Sequence, residues 1–247
     1  MQKITLTQTY YGDRAQYIKQ NIEVIRNDDR VSEHIISNDD SSQVVVLDGL
    51  ARSCPKVKIY NNDPRLHLFR NNYATIERST NPWVILIDSD NVIDTKFIDT
   101  CYAQAPWNDS IIYTPGLAGR FDYRDTGFRE INKSNIAAYV DMITGNRGVN
   151  DVLNLLNVFV NRDRYCAACR SEYLLENAAP YGLKSLLYGY DSIFSNFLML
   201  KSGMTIKIIP ELQYDHTVHD GSFYLSVADE CTKQWHEVMA LVRTLGG

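Results

Sequence analysis

Trp83-Val84-Ile85-Leu86-Ile87-Asp88-Ser89-Asp90-Asn91 runs five large apolar residues into two carboxylates one residue apart. Three of the five are β-branched, Asn81-Pro82 precedes them and a polar stop follows, so the run reads as a short buried central strand; a helix would need more length. In an open α/β sheet such a strand delivers Asp88 and Asp90 to the carboxyl rim, where these sheets bind ligands. Carboxylates so close repel unless a cation or a sugar hydroxyl stands between them, which points to a hard divalent ion bridging to a phosphate. The bland alternative is a polar strand end closed by an Asx-turn.

Working outward, the 247 residues, 45% of them apolar, can bury one substantial core, and a single domain over 1–247 is expected. The net charge of −5 argues against bulk electrostatic binding of nucleic acid or anionic membrane. Met1-Gln2-Lys3-Ile4-Thr5 lacks a basic-then-apolar leader pattern, and no run approaches the ~20 apolar residues of a membrane span. The expectation is a cytoplasmic protein with no transmembrane segment. Five cysteines are an odd number for a disulfide framework, and Cys166-Ala167-Ala168-Cys169 has no second pair to complete a zinc site, so ordinary reduced thiols are expected.

Before the central run, Ile4-Thr5-Leu6-Thr7 alternates as a strand, and Tyr17, Ile18, Ile22 and Ile25 recur at helical spacing over about 14–26. His34-Ile35-Ile36-Ser37 is a second strand, ending in Asn38-Asp39-Asp40-Ser41-Ser42. Val44-Val45-Val46-Leu47 has the run length of a strand, but the serine cap and the three- and four-residue steps to Leu50 favour a helix to about Ser53. Lys56 to Tyr60 is a third strand and about 68–78 a helix. The Asp88/Asp90 strand is therefore fourth in a βαβαβαβ series, which predicts a mostly parallel central sheet flanked by helices on both faces.

Four segments carry a family resemblance: Gln8-Thr9-Tyr10-Tyr11; His34 to Ser42; Phe69-Arg70-Asn71-Asn72; and Val84 to Asp90. Their order and spacing resemble the large inverting glycosyltransferase family of the GT-A (Rossmann-like) fold over roughly residues 3–98, with Ser41 where that family usually has Gly. The resemblance implies a nucleotide-sugar-binding half at about 1–98 and an acceptor-binding, catalytic half at about 99–247. It implies donor contacts from Thr9, Tyr11, Asp39, Asp40, Arg70, Asp88, Ser89 and Asp90. Chemistry agrees: a nucleobase takes a flat aromatic neighbour such as Tyr11 and an acceptor for its ring N–H, which Asp39 or Asp40 can supply. A packed loop aromatic and a solvated helix arginine are the ordinary readings of Tyr11 and Arg70 alone.

Past Asn91, helices are expected at 95–101 and 132–143 and a strand at 110–113, with a Gly/Arg/Asp-rich loop at 116–127. The resemblance returns in the strand-like Leu155 to Arg162 and in Tyr190-Asp191, which opens an amphipathic helix stopped by Gly203. The family places a Glu-Asp pair there whose carboxylate deprotonates the acceptor hydroxyl. Only Asp191 survives here, and the resemblance implies that it is the general base; a helix N-terminal acid stabilised by the dipole is the alternative. A strand is expected from Met204 to Ile209, then His216, His219 and Gly221-Ser222 resemble a late family element, with His219 preferred over His216 as a partner of Asp90 on a metal. Ala228 to Leu245 reads as a terminal helix.

The resemblance thus implies metal-dependent transfer, with Mn²⁺ or Mg²⁺, from a nucleotide-diphosphate sugar, a UDP-sugar by preference, to a glycan or other hydroxyl acceptor with inversion. Two rivals stand beside it. Asp88-Ser89-Asp90-Asn91-Val92 also fits the strand end of haloacid-dehalogenase-type phosphatases, with Asp88 as nucleophile, although three strand patterns precede it. A non-catalytic nucleotide- or glycan-binding module on the same fold is the other.

Overall fold

The computed structural model describes residues 1–119, 121–145, 151–154, 157–173, 191–215 and 228–246, and of 154, 191, 228, 230, 231 and 234 the backbone alone. Residues His216, His219, Gly221 and Ser222 lie outside the described residues, as does the side chain of Asp191. The N-terminal elements are β1 (Ile4–Tyr10), α1 (Ala15–Ile25), β2 (Val31–Asn38), α2 (Val44–Ser53), β3 (Val57–Asn61), α3 (Leu68–Glu77), β4 (Trp83–Ile87) and α4 (Thr95–Ala103). There follow β5 (Ile111–Ala118), β6 (Phe121–Asp122), β7 (Glu130–Ile131), α5 (Ile136–Gly145), β8 (Val158–Asn161) and α6 (Arg162–Tyr173). The chain closes with α7 (Asp191–Lys201), β9 (Thr205–Tyr214) and α8 (Ala228–Arg243).

The strands form one sheet in the order β3-β2-β1-β4-β8-β5-β9-β7, with β6 paired to β5. The first four strands are mutually parallel, as the alternating pattern predicts. β8 then enters antiparallel between β4 and β5, and β5 and β9 run parallel to each other. All five residues of β4 are buried, which is why its sequence is a continuous apolar run. The valine run at 44–46 is helical; Leu47 is its buried contact, while Val45 is 80% exposed.

Side chains on successive strand positions point to opposite faces. Tyr10 on β1 joins Ile36, Ile18, Ile22 and Leu47 in a small core under α1 and α2. Thr5 and Thr7, polar in the alternation, are nevertheless buried, because the other face is covered too. Thr5 Oγ1 donates to Glu33 and Thr7 Oγ1 to the Ile85 carbonyl, so neither hydroxyl is left without a partner.

Three boundaries differ from expectation. β5 runs on through 116–118, inside the expected loop, and β9 continues past Pro210 to Tyr214. The two parallel strands approach closely there: a Cβ on Gly116 would stand 2.7 Å from Pro210 Cα and 2.8 Å from the Ile209 carbonyl oxygen. Glycine at 116 and the register shift between Pro115 and Leu117 let the pair pass a residue that has no N–H to donate. The helix expected from 132 begins at Ile136, because the Asn132 carbonyl and side chain cap a preceding turn.

Candidate functional site

The carboxyl ends of β1, β2 and β4 lie side by side, and the loops leaving them form the site. Asp88, Ser89, Asp90 and Asn91 turn tightly, with the Asn91 N–H donating to the Asp88 carbonyl at 3.2 Å. A set of buried amides holds this turn. Gln8 Nε2 donates to the Asp88 carbonyl at 2.8 Å, Asn21 Nδ2 donates to the Asn91 carbonyl at 3.0 Å, and Asn157 Oδ1 accepts from the Asp88 N–H at 3.0 Å. Asn21 Oδ1 accepts from the Ile93 N–H, and Asp94 Oδ1 caps α4 by accepting from the Phe97 N–H.

Behind Gln8, the His34 Nε2 stands 3.1 Å from Gln8 Oε1, while its buried Nδ1 has no partner among the described residues. Gln8 Oε1 is an acceptor, so Nε2 carries a proton. Burial pushes the His34 imidazole down to about 3. Tyr214, ending β9, is also near the turn: burial first, then the charge of Asp88, hold its phenol well above the usual range.

The β1–α1 loop spans the rim. Gly12, at φ 78°, donates its N–H to Asp40 Oδ2 at 3.1 Å, and the Arg14 N–H donates to the Tyr10 hydroxyl at 3.1 Å. From there the Arg14 side chain reaches the β4 turn, where Nη1 donates to Ser89 Oγ and stands 3.5 Å from Asp90 Oδ2. Asp90 and Ser89 are buried and Asp88 is half-buried.

Asp39 and Asp40 shape the neighbouring loops. Asp39 accepts from Asn62 Nδ2 at 2.8 Å and from the N–H groups of Leu66 and His67 at 3.1 and 2.7 Å. Asp40 accepts from Gly12 and from both the N–H and hydroxyl of Ser42; the Ser42 hydroxyl, opposed by slight burial and helped by the backbone donors, keeps its carboxyl below the usual range. Tyr11 is half-exposed and the Arg65 guanidinium stacks 3.9 Å from its ring centroid, with Arg65 Nε 3.8 Å from Asp39 Oδ2. Thr9 lies half-buried opposite Ser37. Burial, then Arg65, with Arg70 adding to it, lower the His67 pKa, so cationic groups gather beside Asp39.

The structure therefore brings Tyr11, Asp39, Asp40, Asp88, Ser89 and Asp90 to one rim. Asp191 is the first residue of α7, and Phe194, one turn on, packs on Phe69 of α3 with ring centroids 5.5 Å apart. Arg70 follows Phe69, so the start of α7 lies against the first turn of the helix bearing Arg70. A cavity of about 240 Å³ opens beside the β4 turn, between α4 and the ends of β5 and β9; Asp94, Lys96, Glu211 and Gln213 are among its walls.

Asp88 and Asp90 are hard oxygen donors suited to Mg²⁺ or Mn²⁺, ions that keep several waters and take further oxygens from phosphates. Among the described residues no three His, Cys, Asp or Glu side chains cluster as a complete metal cage. Two carboxylates at the rim of the sheet would fit an ion that takes its remaining ligands from a phosphate-bearing substrate. Sequence reasoning missed the roles of Gln8, Arg14, Asn21 and Asn157; for Gln8 and Asn21 the available signal was a polar residue at a position where β1 or α1 is otherwise apolar, and for Arg14 and Asn157, outside those elements, there was none.

Solved glycosyltransferase structures share this fold. S. aureus TarS 1–349 in complex with UDP-GlcNAc superposes with a TM-score of 0.64 at 13% identity over 98% of this chain and 66% of that one. GalNAc-T7 with UDP, GalNAc and Mn²⁺ gives 0.61 at 10% identity over 89% and 44%. The chain spans about two thirds or less of the length of these structures. No curated protein matches the sequence. The fold is thus GT-A, with a central sheet that is mostly parallel and partly antiparallel. The model of glycosyl transferase family 2 matches residues 9–174, more than half of the sequence, and the chain belongs to that family. No helix among the described residues is long and apolar enough to cross a membrane.

Proposed function

We propose that the protein transfers a sugar from a UDP-sugar to a glycan or other hydroxyl acceptor, with inversion at the anomeric carbon and with Mn²⁺ or Mg²⁺. The observation that carries this reading is the Asp88-Ser89-Asp90 turn, held rigid at the sheet rim beside Tyr11 and Asp39. UDP-GlcNAc in TarS, and UDP with Mn²⁺ in GalNAc-T7, support it by analogy.

In this mechanism Tyr11 offers its ring face to the base, Asp39 or Asp40 its carboxylate to a ring N–H, and Arg70 and Thr9 lie along the nucleotide. Asp88 and Asp90, with His219 or else His216, would hold the metal, which when bound offsets the charge gathering on the leaving diphosphate. Asp191 takes the proton from the acceptor oxygen as that oxygen bonds to the anomeric carbon and the bond to the diphosphate breaks. One base suffices for a single displacement. The polar cavity beside Asp94 and Glu211 suits a hydroxyl-rich acceptor, and the two halves of the domain, about 1–98 and 99–247, divide donor from acceptor.

Hydrolysis of UDP-sugars, assayed without acceptor across a donor panel, tests the reading. Stimulation by Mn²⁺ and its loss in Asp90→Ala are expected. Phosphatase activity that is indifferent to nucleotide sugars and lost in Asp88→Asn would replace this reading with the rival one. Binding of UDP-sugar with no turnover, unaffected by Asp191→Asn, would leave a non-catalytic module.

A further inference from the structure

The side chain of Arg14 raises a question that the donor reading leaves open. A guanidinium is fixed against the Asp90 carboxylate, at the position where the metal would be bound. Its origin is constrained, since the loop is tied to Asp40 through Gly12 and to Tyr10 through the Arg14 N–H. Its side chain is only 17% exposed and that of Asp90 only 12%, so the pair is largely removed from water. Only Nη1 is engaged, with Ser89 Oγ and Asp90 Oδ2; among the described residues Nε and Nη2 donate to no protein atom. A guanidinium with one nitrogen on a carboxylate and two still able to donate presents the fork that grips phosphate oxygens.

We propose that Arg14 is a built-in counter-cation of the donor site: it holds Asp90 while metal is absent, competes with the ion for that carboxylate, and gives its remaining N–H groups to the donor's diphosphate. The inference rests on the donor reading above. Its physical content is a linkage. A fixed positive charge beside Asp90 repels a divalent ion and occupies one of its ligands, so the donor-free protein binds metal weakly. A diphosphate supplies new oxygens to both cations at once, and metal and nucleotide then strengthen each other's binding. Arg14 thereby couples retention of the ion to arrival of the substrate.

The test titrates the full chain with Mn²⁺, following free ion by electron paramagnetic resonance, and with UDP in EDTA by calorimetry. Near-ultraviolet circular dichroism confirms that Arg14→Gln and Arg14→Lys fold. In the absence of nucleotide, Arg14→Gln is expected to bind Mn²⁺ about three- to tenfold tighter than wild type, the scale of one charge removed from a partly buried pair. Arg14→Lys keeps the charge and should stay within about twofold. In EDTA, Arg14→Gln should weaken UDP binding about tenfold, with Arg14→Lys intermediate because an ammonium lacks the fork. Mn²⁺ affinity that is unchanged or weaker in Arg14→Gln, undetectable binding in both proteins included, overturns the proposal. If UDP binds and Mn²⁺ strengthens it equally in wild type and Arg14→Gln, Arg14 alone loses its role. If neither protein binds UDP with or without Mn²⁺, the donor reading itself fails.

Discussion

The Gln8 side-chain amide and the Asp88 carbonyl meet at 2.8 Å across eighty residues of sequence, and through that bond β1 supports the turn at the end of β4. The oxygen of that same side-chain amide accepts a hydrogen bond from the His34 Nε2–H, so β2 is part of the brace. Replacing Gln8 by Leu takes from the Asp88 carbonyl its shorter hydrogen bond, leaving that from the Asn91 N–H, and strips the buried His34 N–H of the acceptor it has in Gln8. Such a loss costs about 1–3 kcal/mol per group. Urea denaturation of Gln8→Leu should show a loss of about 2 kcal/mol or more, and UDP-sugar affinity should fall with it.

Asp39→Asn removes an acceptor that gathers Asn62, the Leu66 N–H and the His67 N–H. His67 sits at φ 63° and ψ 176°, a region that side chains other than glycine's rarely adopt. The prediction is a pair of opposite outcomes in thermal denaturation. Asp39→Asn should destabilise by about 1–3 kcal/mol, whereas His67→Gly should gain up to about 1 kcal/mol by releasing the strained backbone.

The pH dependence of folding follows from two neighbours on β2. Burial holds the His34 imidazole at about 3, below its ordinary 6.5. Burial raises the Glu33 carboxyl, but the hydrogen bonds from Lys58, Thr5 and Thr80 outweigh it and bring the group to about 2, below its ordinary 4.5. In both cases the unfolded chain takes up protons before the folded one, so stability falls as pH falls. Between 6.5 and 4.5 His34 drives the loss, and between 4.5 and 2 Glu33 adds to it. Urea midpoints measured across pH should decline from 6.5 downward, and His34→Asn should flatten the upper part of that decline.

Asp90→Asn keeps the size of the side chain while removing its charge. On the proposed mechanism, Mn²⁺-stimulated turnover should drop about 100-fold, the equivalent of losing a few kcal/mol of charge stabilisation on the leaving diphosphate. Asp191→Asn should lower kcat by a similar factor while leaving the KM for donor within about threefold, because that carboxylate acts on the acceptor proton. Steady-state kinetics with a fixed acceptor separates the two variants.

Much of the fold was legible in the residues themselves. A fully buried five-residue run defined β4, helical spacing defined α1, and the steps from the valine run to Leu50 defined α2, although the expected serine cap is not there: Ser41 and Ser42 lie in a preceding turn that the Asp40 side chain caps. Family motifs marked Tyr11, Asp39, Asp40, Ser89 and Asp90, and folding does bring them to one rim. A glycine and a proline usually end strands, but here Gly116 lies against Pro210 and the missing Cβ lets the parallel pair β5 and β9 run on past both.

The sequence by itself determined β1 to β4 with the helices between them and which carboxylates end β4, because local periodicity reports directly on which face of an element is buried; the short β6 and β7, where no strand was expected, left no such pattern. Only the tertiary structure decided that β8 would enter antiparallel beside β4, that Gln8 and Asn157 would brace Asp88, and that Arg14 would pair with Asp90. Those are contacts between residues 69 to 80 positions apart or between strands out of chain order, and they follow from strand order and register, which leave no periodic trace in the chain.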